Sequence, residues 1–175
     1  MTRRVALITG ATGVVGRNLL AHLLRAEGWE IIAVSRRPPA VPGDYVHLAI
    51  DLLDAADCAK QAHQLSAVTH VFHAAYVERS DPAAWVHDNT AMLSHLIEAI
   101  DPIALGLEHV HVMHGTKWYG NHHGTFRTPA REDDPRHMPP NFYYNQWDYL
   151  AQASLGKRWS ISSARPHAIC GDGVG

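Results

Sequence analysis

Cysteine is scarce in this chain. Cys58 and Cys170 are the only two among 175 residues, and they stand far apart. No disulfide framework follows from them, and free thiols in a reducing compartment are the expectation. Long apolar runs are missing as well: nothing approaches the roughly 18 residues that a membrane-spanning helix needs. The first apolar run starts at Val5, behind Thr2-Arg3-Arg4, and is too short for a secretory leader. Charge is modest, at 18% Asp, Glu, Lys and Arg with a formal net charge of −2, so nothing electrostatic points to nucleic acid or an anionic membrane. A hydrophobic content of 46% excludes a disordered chain. A domain of this length buries roughly two-thirds of its unfolded surface without help from disulfides or metal. The expectation is one cytoplasmic domain over residues 1–175.

The chain alternates short apolar runs with longer helical stretches. Val5 to Thr9 is a continuous apolar run, as for a strand buried on both faces. After Gly13 the period changes: Val15, Leu19, Leu20, Leu23 and Leu24 share one side of a helix, and Gly28 stops it. Further strands are predicted over Glu30–Ser35, Tyr45–Ile50, Val68–His73, His109–His114 and Trp159–Ala164. Helices are predicted over Asp54–Leu65, from Asp81-Pro82 to Ile100, and over Tyr143–Lys157. Residues 120–141, rich in Gly, Pro and His, read as a long loop. Repeated strand–helix–strand units predict an α/β fold, a Rossmann-like doubly wound parallel sheet with helices on both faces. Ligands bind such sheets beyond the carboxyl ends of the strands, at the switch point of strand order.

Gly10-Ala11-Thr12-Gly13-Val14-Val15-Gly16 joins the first strand to the first helix. Its glycines sit where a tight turn, close approach of backbone N–H groups to a pyrophosphate and close helix–strand packing need them. The spacing is G-x-x-G-x-x-G rather than G-x-G-x-x-G. The second strand ends in Ser35-Arg36-Arg37, without the carboxylate that would accept a ribose 2′-hydroxyl. Its guanidinium groups suit a 2′-phosphate, so NADP(H) is the expected cofactor. Asp51 and Leu52, past the third strand, suit either an adenine contact or, for Asp51, a helix cap. His73-Ala74-Ala75-Tyr76 either lines the adenine–ribose side or, for His73, belongs to the interior.

These features resemble the extended short-chain dehydrogenase/reductase superfamily. The superfamily's Tyr-x-x-x-Lys pair is absent, because Trp147, Asp148 and Ala153 follow Tyr143, Tyr144 and Tyr149 by four. Instead Gly115-Thr116-Lys117-Trp118-Tyr119-Gly120 follows the fifth strand, and Pro140-Asn141-Phe142-Tyr143-Tyr144 opens the last helix. Together with Ser35-Arg36-Arg37-Pro38, Trp159-Ser160-Ile161 and Arg165-Pro166, this resembles the progesterone 5β-reductase/iridoid synthase family. The resemblance covers the whole chain. It departs at Trp147-Asp148, where the family has Glu-Asp, and family members continue for about another domain.

The resemblance implies an NADPH-dependent reductase of activated C=C bonds in enones or enals. Tyr143 would hydrogen-bond the carbonyl oxygen of the substrate and stabilise the enolate. Lys117 would hold the nicotinamide ribose and favour ionisation of the phenol. Gly115, Pro166 and Ile169 would lie along the nicotinamide. Phe142 and one tyrosine are expected in the core. A carbonyl reductase, a sugar-nucleotide epimerase or dehydratase, and a non-catalytic NADP-sensing protein are the alternatives. The implied partner is a small molecule, with no nucleic acid and no membrane, and a homodimer is compatible. Despite 14 histidines, no ligand spacing such as H-E-x-x-H occurs, so no metal site is expected. Residues 171–175 read as a loop leading onward to a substrate lobe, and residues 1–175 alone are expected to bind NADPH but barely reduce enones.

Overall fold

The computed structural model of the protein describes residues 4–171. Asp172 to Gly175, part of the expected terminal loop, lie outside the described residues. Strand β1 (Arg4–Thr9) sends Val5 and Leu7 to one face of a sheet and Ala6 and Ile8 to the other, all buried. Both faces are covered, which is why the run is apolar throughout rather than alternating. β2 (Trp29–Val34), β3 (Val46–Leu48), β4 (His70–His73), β5 (His109–Met113) and β6 (Ser160–Ala164) complete a six-stranded sheet. Every pairing is parallel, and the order is β3-β2-β1-β4-β5-β6. The order reverses between β1 and β4, the doubly wound switch point.

Helix α1 (Val14–Leu23) packs Leu20 and Leu23 against Ala6, Ile8, Ile31 and Ala33. Helices α2 (Ala55–Gln61), α3 (Pro82–Ile100) and α4 (Phe142–Ala153) cover the other face, where Leu93, Leu96, Ile97 and Leu150 meet Val71, Val110 and Val112. Asp54 caps α2 by accepting from Ala56 N and Asp57 N, and Asp81 caps α3 ahead of Pro82.

Boundaries move where local chemistry overrides the apolar pattern. The helix predicted to run to Leu65 tightens after Gln61 into a 3-10 turn over Ala62–Leu65. The last helix begins a residue early, because Asn141 supplies its N-cap, and it ends at Ala153, well before Lys157. Strands β3 and β4 are shorter than predicted, because pairing with β2 and β1 stops at Val46–Leu48 and at His70. The loop over 120–141 holds neither helix nor strand. It is fastened to α4 by a bidentate Arg136–Asp148 pair at 2.8 and 2.6 Å and by His137 N donating to Tyr144 Oη.

Candidate functional site

The glycine turn sits at the switch point. Gly10 has φ +65°, and a β-carbon there would come within 2.5 Å of the Ala74 carbonyl oxygen beyond β4. A β-carbon on Gly16 would stand 2.3 Å from the Gly10 carbonyl oxygen. One glycine lets the turn press on the neighbouring strand end, and the other lets α1 press on the turn. Gly13 precedes α1 with no side-chain cap, and the first turn holds no acid. α2, α3 and α4 by contrast take side-chain caps from Asp54, Asp81 and Asn141. The first N–H groups of α1 therefore form a positive, uncapped end.

A cleft of about 750 Å³ opens from that end along the carboxyl edge of the sheet. Gly10, Thr12, Gly13, Val14 and Val15 form its floor. Ser35, Arg36, Asp51 and Leu52 stand at one side, and Ala74, Ala75, Lys117, Tyr143 and Ile169 at the other. Four predicted residues lie outside this lining: Gly16, Arg37, Gly115 and Pro166. Gly16 faces the turn behind the floor. Arg37 is exposed and does not line the cleft, and its carbonyl accepts from Ser35 Oγ at 2.6 Å. Gly115 and Pro166 flank the Tyr143 hydroxyl, which lies 3.3 Å from where a Gly115 β-carbon would stand, with the Pro166 carbonyl 3.5 Å from the same point.

Asp51 shapes the turn before α2. Its Oδ1 accepts from Leu53 N at 3.0 Å and its carbonyl from Asp54 N, while the cap itself belongs to Asp54. His73 is an interior histidine. Its Nδ1 meets Thr9 Oγ1 at 3.0 Å, it does not line the cleft, and burial pushes its pKa down to about 4. Phe142 and Tyr144 are core, and Tyr143, between them on α4, is half-buried on the cleft wall.

Asn141 ties the two predicted catalytic residues together. Its Nδ2 donates to the Lys117 carbonyl at 2.7 Å, and its Oδ1 accepts from Tyr143 N at 3.1 Å. Lys117 Nζ rests over the Trp85 ring, 4.9 Å from its centroid. Two influences act on the phenol of Tyr143 in the cleft wall. Burial, and then the negative charge of Glu78, hold the Tyr143 pKa above its ordinary value. Both disfavour the phenolate, desolvation being the larger of the two.

Residues 6–164 match the model of the NAD dependent epimerase/dehydratase family. The chain belongs to that family. It is 36% identical to the 3-oxo-Delta(4,5)-steroid 5-beta-reductase of Arabidopsis thaliana, over 95% of this chain and 46% of the relative. It is 35% identical to the (S)-8-oxocitronellyl enol synthase CYC2 of Camptotheca acuminata, with the same shares covered. Among solved structures, the UDP-glucose 4-epimerase of Bifidobacterium longum, in complex with NAD+ and UDP, superposes with a TM-score of 0.75 at 17% identity. That superposition covers 92% of this chain and 52% of the epimerase. The chain thus spans about half the length of the relatives it matches.

In this epimerase/dehydratase-family chain, Trp147-Asp148 has local work of its own. Asp148 pairs with Arg136, and Trp147 meets Trp118 edge-on at 6.3 Å. His109 and His111 are engaged by Ser160 and Ser162 across β5 and β6 at 2.7–2.9 Å. Among the described residues no three His, Cys, Asp or Glu are placed to hold a metal ion. Sequence reasoning did not single out Val77, Arg79 or Met113 as cleft residues, nor His114. They carry no motif, and only the carboxyl ends of β4 and β5 place them there.

Proposed function

We propose that the chain forms the dinucleotide-binding part of an NADPH-dependent reductase of activated C=C bonds in enones or enals. The observation that carries this is the pairing of Tyr143 and Lys117 on one cleft wall, clipped together by Asn141, beyond an uncapped helix end that suits a pyrophosphate. The donor set fits a dinucleotide: bare N–H groups at α1 for the diphosphate, Leu52 for an adenine face, and Arg36 for a 2′-phosphate. Asp51 would accept from the adenine amino group with the carboxylate oxygen not used by Leu53. When bound, the reduced nicotinamide supplies hydride to the β-carbon of the substrate. Tyr143, kept protonated by burial, donates a hydrogen bond to the carbonyl oxygen as charge builds there. Lys117 holds the nicotinamide ribose.

A carbonyl reductase or epimerase would need another acid–base pair, because no lysine follows Tyr143, Tyr144 or Tyr149 by four. A sensor that only binds NADP would use Lys117 at the ribose but would have no use for the Tyr143 phenol beside it. NADPH oxidation by the full-length protein with a simple enone, with a ketone and with no substrate separates the three. Consumption with the enone alone is expected, and consumption with the ketone alone would overturn the proposal.

A further inference from the structure

Three polar side chains that this chemistry leaves unused form a buried line that reaches the cleft at His114. Asn89 on α3 is fully buried, Gln146 on α4 is 1% exposed, and His114, just past β5, is 3% exposed. Asn89 clamps the cleft wall at Val77 from both sides. Its Oδ1 accepts from Val77 N at 3.0 Å and its Nδ2 donates to the Val77 carbonyl at 2.8 Å. The carbonyl of Asn89 in turn accepts from Gln146 Nε2 at 2.7 Å. A carbonyl can only accept, so the Gln146 amide has one orientation, with Oε1 turned to His114 Nε2 at 3.2 Å. That oxygen also only accepts, so His114 carries its proton on Nε2, and its buried Nδ1 is a lone-pair acceptor without a partner.

The imidazole so fixed lies against the phenol. Its ring stacks on Tyr143 at 4.6 Å between centroids with 29° between planes, and on Trp118 at 5.6 Å and 22°. Burial pushes its pKa down to about 3. Arg165, His73 and His111, the charged and titratable groups around it, act in the same direction, and only the Gln146 bond opposes them. The plate beneath Tyr143 is therefore neutral at any working pH.

We propose that the Asn89–Gln146–His114 line is a positioning relay for Tyr143. It sets the tautomer and plane of His114, and through that plate the aim of the phenol across Gly115, in register with the Val77 wall. The inference rests on Tyr143 as the oxyanion donor. Its physical ground is that an apolar trio could fill the same volume, whereas a buried hydrogen-bonded line specifies one arrangement. A donor aimed at developing charge is sensitive to displacements of about 1 Å.

Two substitutions separate positioning from packing. Gln146→Met keeps the volume and removes both bonds. In Gln146→Glu, burial keeps the carboxyl protonated, so its carbonyl can accept from His114 while its hydroxyl donates to Asn89. For Gln146→Met we expect kcat for enone reduction in the full-length protein to fall about tenfold with NADPH affinity within about twofold, and Gln146→Glu to restore most of it. Nitrogen-15 spectra of the histidines should give His114 protonated on Nε2 in wild type and in Gln146→Glu from pH 8 to pH 5, but not in Gln146→Met. The Tyr143 ring carbon signals should be displaced in Gln146→Met alone. A wild-type His114 protonated on Nδ1, or Tyr143 signals identical in all three proteins, overturns the relay. If wild type reduces no enone, the assignment of the chemistry falls, while these spectra still decide the relay.

Discussion

Two arginines adjacent in sequence do not take the same place beside the cleft. Arg36 lines the cleft, and Arg37 does not. Bonds between a guanidinium and a phosphate contribute on the order of 1.5–3 kcal/mol each, so NADPH should bind at least about tenfold more tightly than NADH. Arg36→Ala should abolish that preference, and Arg37→Ala should leave most of it; fluorescence titration with both cofactors reads this directly. Equal affinities in wild type would sink the assignment. The sequence puts the pair after the second strand but does not divide it, because both arginines are exposed and only the folded chain shows that Arg36 lines the cleft. At Tyr143, Tyr143→Phe should leave NADPH affinity nearly intact and lower enone turnover about 100-fold in the full-length protein, while Lys117→Ala should damage both. The phenol pKa is raised, so its proton is held through neutral pH and lost only as pH rises above the ordinary tyrosine range. Turnover should therefore show no tyrosine-linked loss on the acid side. A decline setting in below pH 7 that is absent from Tyr143→Phe would show that the phenol works ionised. The sign of this shift was not legible in sequence, since Lys117 near a tyrosine argues for the opposite one until burial and Glu78 are seen.

At the scale of elements, the turn between β1 and α1 carries the most specific fit. A β-carbon on Gly16 meets the Gly10 carbonyl at 2.3 Å and the Ala11 α-carbon at 2.8 Å, all backbone, so no side chain can yield. Gly16→Ala should push α1 off the turn, cost about 1–3 kcal/mol as overpacking does, and weaken dinucleotide binding with it. Gly13→Ala is the control for stability without cofactor, because its β-carbon would find the nearest atom at 3.4 Å. Urea melts of both variants, each with and without NADPH, test this; equal stability of Gly16→Ala and wild type would refute it. This turn was legible because glycine spacing, the strand before it and the helix after it record one geometry. The strands and helices were legible for a similar reason, as unbroken apolar runs or 3.6-residue periods. Their ends were not. Where β4 begins depends on pairing with β1, and where α4 begins depends on Asn141, whose clip to Lys117 joins residues 24 apart in sequence. Nor could the sequence reveal the line from Val77 through Asn89 and Gln146 to His114. Its members are spread over two helices and two loops and follow no spacing.

For the whole molecule, buried histidines couple stability to pH. His73 takes its proton at about 4 in the folded state, against about 6.5 unfolded. Between those values the unfolded chain binds more protons, so its contribution is present above the unfolded pKa and lost as pH falls through the folded one. The loss should reach about 2 kcal/mol by pH 5, and His73→Asn should flatten that slope in urea melts at pH 7 and pH 5; an unchanged slope would place His73 outside this linkage. Cofactor binding and turnover should also separate at this scale. The proposed dinucleotide contacts, from the glycine turn through Arg36 and Leu52 to Lys117, Tyr143 and Ile169, are supplied by residues 1–175. The 5-beta-reductase and enol synthase relatives are about twice as long, this chain covering 46% of each. Hydride transfer gains most of its rate from a substrate held against the nicotinamide with water excluded. Those functions need walls that the described cleft, open along the sheet edge, supplies only in part. We therefore expect a polypeptide of residues 1–175, of 19.3 kDa, to bind NADPH with its 2′-phosphate preference intact and to reduce enones at no more than about a hundredth of the full-length rate. Fluorescence titration and an enone assay on that polypeptide, its mass verified, make the comparison. Full turnover at 19.3 kDa would mean that the cleft walls seen here already complete the site.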